Sequence, residues 1–224
     1  MSGKITRGSS DLWRTPSPLW ERIEPARLLL GDWWKEGAHP VAWEEILPGG
    51  PMHLEVGFGG GEFLLGMARR HPECRFVGVE RFAEGHRGLV KNVLRLGLTN
   101  VLSAVGDAHV VVEVCFADGS LESVTLNFSD PWPKARHASR RLFTEEFLGL
   151  AARKLRPGGR LHLATDDGAY AEQAIEELAK LPLLSSTHPG LRWMDSSPCP
   201  LRTRYEEKWI REGRPLHYLV YERR

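Results

Sequence analysis

The chain has almost none of the features that mark an exported, metal-built or membrane-embedded protein. Its three cysteines, Cys74, Cys115 and Cys199, are odd in number, far apart and never in a Cys-x-x-Cys pair. That excludes a disulfide scaffold and a zinc ribbon, and it suits a reducing compartment. The nine histidines show no paired metal-ligand spacing, so no metal is expected. No apolar run approaches the ~20 residues needed to cross a bilayer. Met1 to Ser10 lack the apolar centre of a signal peptide. A cytoplasmic protein without membrane contact is expected. Repeats and low-complexity tracts are missing too. Net charge is nearly so, at +1 from 30 Lys and Arg against 29 Asp and Glu. The balance hides local excesses: seven basic against four acidic residues from Arg202 to Arg224, and five against three in the first thirty. Any surface for a polyanion must therefore be local.

What is present reads as one α/β domain. At 224 residues, with 42% hydrophobic and 26% charged, the chain can bury a core and carry short appendages. Residues 1–40 read as an N-terminal arm and short helix, with the helix inside Glu21 to Trp34. Residues 41–224 read as a single domain, opened by a second short helix over Val41 to Leu47. Strand and helix patterns then alternate. Strands are expected at Met52 to Val56, Cys74 to Val79, Val101 to Val105, Ser123 to Phe128 and Arg160 to Ala164. Helices are expected at Glu62 to Arg70, Glu84 to Leu96, Thr144 to Leu155 and Ala169 to Leu181. The final part is expected to hold a strand at Leu191 to Met194, a helix from Thr203 to about Glu212 and a closing strand at Leu216 to Tyr221. Such alternation predicts a doubly wound parallel sheet, whose ligands sit outside the carboxyl ends of the strands.

Those ends carry acids. Glu55 precedes an alternating glycine loop, Gly57-x-Gly59-x-Gly61, whose glycines let the backbone turn sharply and approach a ligand. The dinucleotide pattern Gly-x-Gly-x-x-Gly would need glycine at position 62, which is Glu. Glu80 closes the second strand 19 residues after Gly61, where it can accept from ribose hydroxyls. Asp107 follows the third strand and can accept from an exocyclic amine such as adenine's. An acid-lined pocket repels a pyrophosphate, so the expected cofactor holds adenosine without phosphate.

The most informative stretch runs from Asn127 to Arg141. Two prolines, Pro131 and Pro133, forbid a regular ladder or helix and hold Asp130 at a strand end. Lys134, Arg136, Arg140 and Arg141 then place four positive charges in eight residues, with His137 among them. A stiff carboxylate beside a basic platform predicts chemistry on nucleic acid. Asp166, after the fifth strand, faces the expected substrate side. Thr203 and Glu206 are spaced like a capping box.

Glu-Val-Gly-Phe-Gly-Gly-Gly at 55–61, Gly-Val-Glu at 78–80, Gly-Asp-Ala at 106–108, Asn-Phe-Ser-Asp-Pro-Trp-Pro-Lys at 127–134, Ala-Thr-Asp at 164–166 and Thr-Arg-Tyr-Glu at 203–206 together resemble the tRNA (guanine-N7-)-methyltransferase family. The similarity covers roughly residues 52–222. Ala135 stands where the family usually has Lys, and Thr-Arg-Tyr-Glu replaces its usual Thr-Lys-Phe-Glu. The resemblance implies a Rossmann-like class I S-adenosylmethionine methyltransferase with a mostly parallel seven-stranded sheet and helices on both faces. It implies methyl transfer from S-adenosyl-L-methionine to N7 of the variable-loop guanosine (position 46) of tRNA. Glu55, Gly57, Gly59, Gly61, Glu80, Asp107 and Asp130 would bind the cofactor, and Asp130 would be catalytic. Lys134, Asp166, Thr203, Arg204, Tyr205 and Glu206 would bind the substrate base, and Arg136, His137, Arg140 and Arg141 would grip RNA. The implied partner is tRNA, and a monomer or homodimer without metal is expected. Two rival functions share the glycine loop or the basic run: a methyltransferase of small molecules or proteins, and a non-catalytic RNA-binding protein.

Overall fold

The structure is a computed structural model that describes residues 33–35, 39–47 and 49–224. The expected arm before Trp33, with most of its Glu21–Trp34 helix, lies outside the described residues. Strands β1 (Met52–Val56), β2 (Arg75–Glu80), β3 (Val101–Val105), β4 (Leu121–Asn127), β5 (Leu155–Thr165), β6 (Leu184–Ser186) and β7 (His217–Arg223) form one sheet in the order β3-β2-β1-β4-β5-β7-β6. The pairs β1–β2, β2–β3, β1–β4 and β4–β5 are parallel, whereas β7 runs antiparallel to both β5 and β6. The order reverses at β1, whose neighbours β2 and β4 lead to opposite halves. A ligand crevice is expected outside the strand ends there.

Helices are α1 (Trp43–Ile46), α2 (Glu62–Arg70), α3 (Ala83–Leu96), α4 (Ala108–Cys115), α5 (Glu145–Lys154), α6 (Gly168–Ala179) and α7 (Arg204–Arg211). Alternation along the strands divides the sheet's two faces. Leu54, Val56, Val124, Leu126, Leu161 and Leu163 join Val111, Phe147, Leu150 and Tyr170 of α4 to α6 in the main core. On the opposite face Phe58, Leu64, Leu65, Phe76 and Leu89 pack α2 and α3 over β2. Gly78 permits this: a Cβ there would meet Phe58 at 2.5 Å and Leu64 at 2.7 Å.

The mostly parallel seven-stranded sheet with helices on both faces is the expected one, with three local differences. The expected strand at Leu191–Met194 is only a single bridge, Met194 to Tyr218; the seventh strand is Leu184–Ser186, three residues too short to show a period. Helix α4 was not anticipated, because the β-branched run Val110-Val111-Val112 disguises it. Strand β5 starts at Leu155, so Arg156-Pro157-Gly158-Gly159 lies inside it, beside a register shift against β4.

Candidate active site

The carboxyl ends of the parallel strands open into a cleft of about 830 Å³. On the β1 side it is built from the glycine loop. Gly57 and Gly59 line the cleft at φ 74 and 54, in the left-handed region that costs other residues energy. Gly61 does not reach it. A Cβ at Gly61 would lie 2.4 Å from Leu89, so that glycine lets α2 approach α3. Glu80, buried at the end of β2, holds the loop. Its Oε2 accepts the Gly59 N–H (3.0 Å), and its Oε1 accepts those of Arg81 (2.7 Å) and Phe82 (3.2 Å). A carboxylate has about four acceptor sites, so one remains, on Oε2. Asp107 is exposed to the cleft and its Oδ1 also caps α4, accepting the His109 N–H at 3.0 Å.

Asp130 stands exposed on the facing wall, between two non-glycine residues in left-handed backbone, Phe128 (φ 53) and Trp132 (φ 43). Each such residue costs about 1–3 kcal/mol unless its surroundings enforce it. Phe128 is enforced by its N–H to the Ala164 carbonyl (2.8 Å) and by packing on Ala164 and Tyr218. Trp132 is enforced by Arg141. That guanidinium donates to the carbonyls of Pro131 (3.0 Å) and Trp132 (3.2 and 3.0 Å), and to Gln173 Oε1 of α6 (2.9 Å). The Tyr170 hydroxyl accepts the N–H groups of Leu142 and Phe143 just after it. Four side-chain donations from Arg141 and two to Tyr170 fasten the Asp130 loop to α6. Arg141 thus lines the cleft while clamping the loop. Of the other basic residues, Lys134 and Arg136 are exposed outside the cleft, Arg140 is exposed on its rim over the Trp132 ring at 4.9 Å, and His137 meets that ring edge-on at 5.3 Å.

The third wall comes from β5 and α7. Both acids after Thr165 line the cleft, and Asp167 also caps α6 by accepting the Tyr170 N–H (3.0 Å). Tyr205 and Trp209, four residues apart on α7, line it too. Thr203 and Glu206 form a complete capping box. Glu206 is buried and also accepts from the Tyr218 hydroxyl (2.8 Å). Neither Thr203 nor Glu206 faces the cleft; both fix the start of the helix that carries Tyr205 there. Arg204 reaches Glu62 across to α2 (3.4 Å).

Glu55 is likewise apart. It shares its strand face with His53, and with Ser123, Thr125, Asn127 and His162 of the neighbouring strands it lines a separate cavity of about 410 Å³. Asn127 donates to its Oε1 at 3.3 Å, while Oε2 is buried without a partner. Burial, opposed by the Asn127 bond, pushes the Glu55 carboxyl up to about 8. The cleft therefore gathers Gly57, Gly59, Glu80, Asp107, Asp130, Arg140, Arg141, Asp166 and Tyr205. It leaves out Glu55, Gly61, Lys134, Arg136, His137, Thr203, Arg204 and Glu206, and among its additions are Phe82, Trp132, Trp209 and Arg214. The signals for the additions are an exposed aromatic after the β2 acid, and a Trp one helical turn beyond Tyr205.

Comparisons with known proteins agree with this architecture. Among solved structures, the 16S rRNA methyltransferase KamB superposes with a TM-score of 0.55 at 15% identity, over 78% of this chain and 88% of that one. A SAM-dependent O-methyltransferase from Thermotoga maritima does so at 0.52 and 16%, over 80% and 60%. At such identities the likeness establishes the fold. A family model of methyltransferases, Methyltransf_4, matches residues 49–219. The tRNA (guanine-N(7)-)-methyltransferase of Cereibacter sphaeroides is 38% identical over 82% of this chain and 74% of its own length. That of Paracoccus denitrificans is 40% identical over 78% and 72%, and that of Macrococcus caseolyticus 36% over 78% and 82%. With this fold, these motifs and this extent of identity, the chain belongs to the tRNA (guanine-N(7)-)-methyltransferase family.

Proposed function

We propose that the protein transfers a methyl group from S-adenosyl-L-methionine to N7 of a guanosine in the variable loop of tRNA. The observation that carries this reading is a single cleft with a glycine loop and two strand-end acids on one side and Asp130, Asp166 and an outward basic loop on the other. The residues present fit the cofactor: at Gly57 and Gly59 the space beside the backbone is open, Glu80 keeps one acceptor site and Asp107 is exposed. Bound there, S-adenosyl-L-methionine supplies a methyl carbon on a sulfonium.

Guanine N7 already carries a lone pair, so the protein need not remove a proton. Its task is alignment and charge stabilisation as the base becomes cationic. Asp130, on a loop fastened by Arg141, supplies a fixed negative charge between cofactor and base. Asp166 suits the guanine Watson–Crick edge, which presents N1–H and N2–H donors to a carboxylate. Lys134, Arg136 and Arg140 meet phosphates, mostly reading shape. Among the described residues no helix is long and apolar enough to cross a membrane, and no group of His, Cys, Asp and Glu could hold a metal ion.

The test is transfer of labelled methyl to unmodified bulk tRNA, followed by nuclease mapping. Label on N7 of the variable-loop guanosine is expected; measurable cofactor binding without label on tRNA would overturn the assignment. A second expectation concerns affinity. Replacing both Arg136 and Arg140 by Ala flattens the salt dependence of tRNA binding by roughly 0.7–0.9 log-log units per lost phosphate contact. Arg141→Ala instead damages turnover through the loop it clamps. Binding isotherms at several salt concentrations check the first statement, and kcat at saturating tRNA checks the second.

A further inference from the structure

Arg214 has no part in the resemblance, yet it lines the cleft and is held there from several sides. Helix α7 ends at a Schellman cap: the Gly213 N–H bonds the Ile210 carbonyl (3.1 Å), and the Arg214 N–H bonds that of Trp209 (3.0 Å). The motif needs the left-handed backbone that Gly213 adopts at φ 67. It folds Arg214 back over its own helix, so that the guanidinium lies 3.8 Å from the Trp209 ring centroid. The ring itself packs with Phe128, Ala164 and Tyr218 at the end of the sheet. Held there, Arg214 donates from Nη1 to Asp166 Oδ2 at 3.1 Å, and its Nε lies 3.3 Å from Glu212.

We infer that Arg214 is a positioning residue for the reaction: stacked on Trp209, it fixes the Asp166 carboxylate in the orientation that receives the guanine edge. The inference rests on the assignment of Asp166 to that edge. Arg214 uses one acceptor site of Oδ2. Each carboxylate oxygen has two, so Oδ1 and the second site of Oδ2 remain for the N1–H and N2–H donors of the base. A lone carboxylate at the end of β5 would rotate freely about its final bond. One anchored to a guanidinium, itself pinned by a ring, a cap and a second acid, presents its remaining lone pairs in one direction. Partly exposed ion pairs add little stability, so the consequence of this pair lies in alignment rather than folding.

The test is steady-state kinetics and direct binding with Arg214→Gln, Arg214→Lys, Asp166→Asn and the double variant Arg214→Gln/Asp166→Asn. Arg214→Gln is expected to lower kcat at saturating tRNA about 10- to 100-fold while tRNA and S-adenosyl-L-methionine affinities stay within about threefold. Arg214→Lys, which keeps charge but not the planar fork, recovers part of the loss. In the Asp166→Asn background, Arg214→Gln costs nothing further. Unchanged kcat in Arg214→Gln overturns the inference, as does a loss confined to tRNA affinity, which would make Arg214 a phosphate contact. Fully additive losses overturn it as well. A fully active Asp166→Asn enzyme overturns the assignment of Asp166 itself, a result distinguishable from failure at Arg214 alone.

Discussion

Asp130→Ala is expected to lower the single-turnover rate of methyl transfer by about 10²–10³-fold, the usual cost of removing a preorganised electrostatic group. Affinity for tRNA should change little. The expectation follows from the placement of the carboxylate rather than from its intrinsic chemistry. Phe128 and Trp132 hold the backbone on either side of it in left-handed conformations, and Arg141 grips the carbonyls of Pro131 and Trp132. A loop so fastened does not relax to bring another acceptor into the same position. Asp130 belongs to the cleft wall, whereas the exposed cations proposed to meet phosphates follow it in the chain. Rapid-quench kinetics with excess enzyme, alongside tRNA binding, separates the two effects. An equal fall in rate and affinity would assign Asp130 to RNA binding and end its role in transfer.

Glu55→Gln is expected to stabilise the protein, and increasingly so as pH rises. Burial lifts the Glu55 carboxyl from an ordinary value of 4.5 to about 8. Between those values the folded chain keeps a proton that the unfolded chain has released, so stability falls as pH increases, by about 1.4 kcal/mol per unit. Above pH 8 both states are ionised and the dependence ends. The accumulated penalty is on the order of 5 kcal/mol, which for a chain of this size corresponds to roughly 10–20 °C in Tm. Glutamine keeps the shape of the protonated acid and does not titrate. Melting curves of the cofactor-free protein at mildly acidic and mildly alkaline pH should therefore converge with wild type at the acid end and separate at the other. Parallel curves would show that Glu55 ionises without penalty. The same variant tests the place of this acid: as a residue of the second cavity, it is expected to leave S-adenosyl-L-methionine affinity unchanged when neutralised.

Much of this architecture is legible in the chain, and the exceptions have physical causes. The sequence from Met52 to Val105 alternates short apolar runs, glycine loops and amphipathic stretches, so β1, α2, β2, α3 and β3 lie close to their expected bounds. Side-chain direction is harder to read. Glu55 looks like part of the glycine loop, but strict alternation along β1 sends it with His53 to the face opposite Leu54 and Val56. Arg141 belongs to a run of positive charge and reads as solvent-facing, whereas in the structure its donors are used by the preceding carbonyls. Glu206 has the spacing of a cap and is one; its burial against Tyr218 depends on β7 lying beside the start of α7, a placement that local sequence does not give. Trp209 and Arg214 come together only through a turn at Gly213, a contact that neither helical periodicity nor net charge announces.

The direction of β7 has a practical consequence. Because it runs against β5, its first residue, His217, pairs with Thr165 beside the cleft, and its later residues pair at the far edge, where Arg160 meets Glu222. Arg224, just beyond, bonds the Leu183 carbonyl near the start of β6. A fluorophore or surface tether attached at Arg224 would therefore emerge on the side of the sheet away from the cleft. The enzyme could be immobilised through that point with its mouth facing solution, whereas a tether near Pro215 would stand in the doorway.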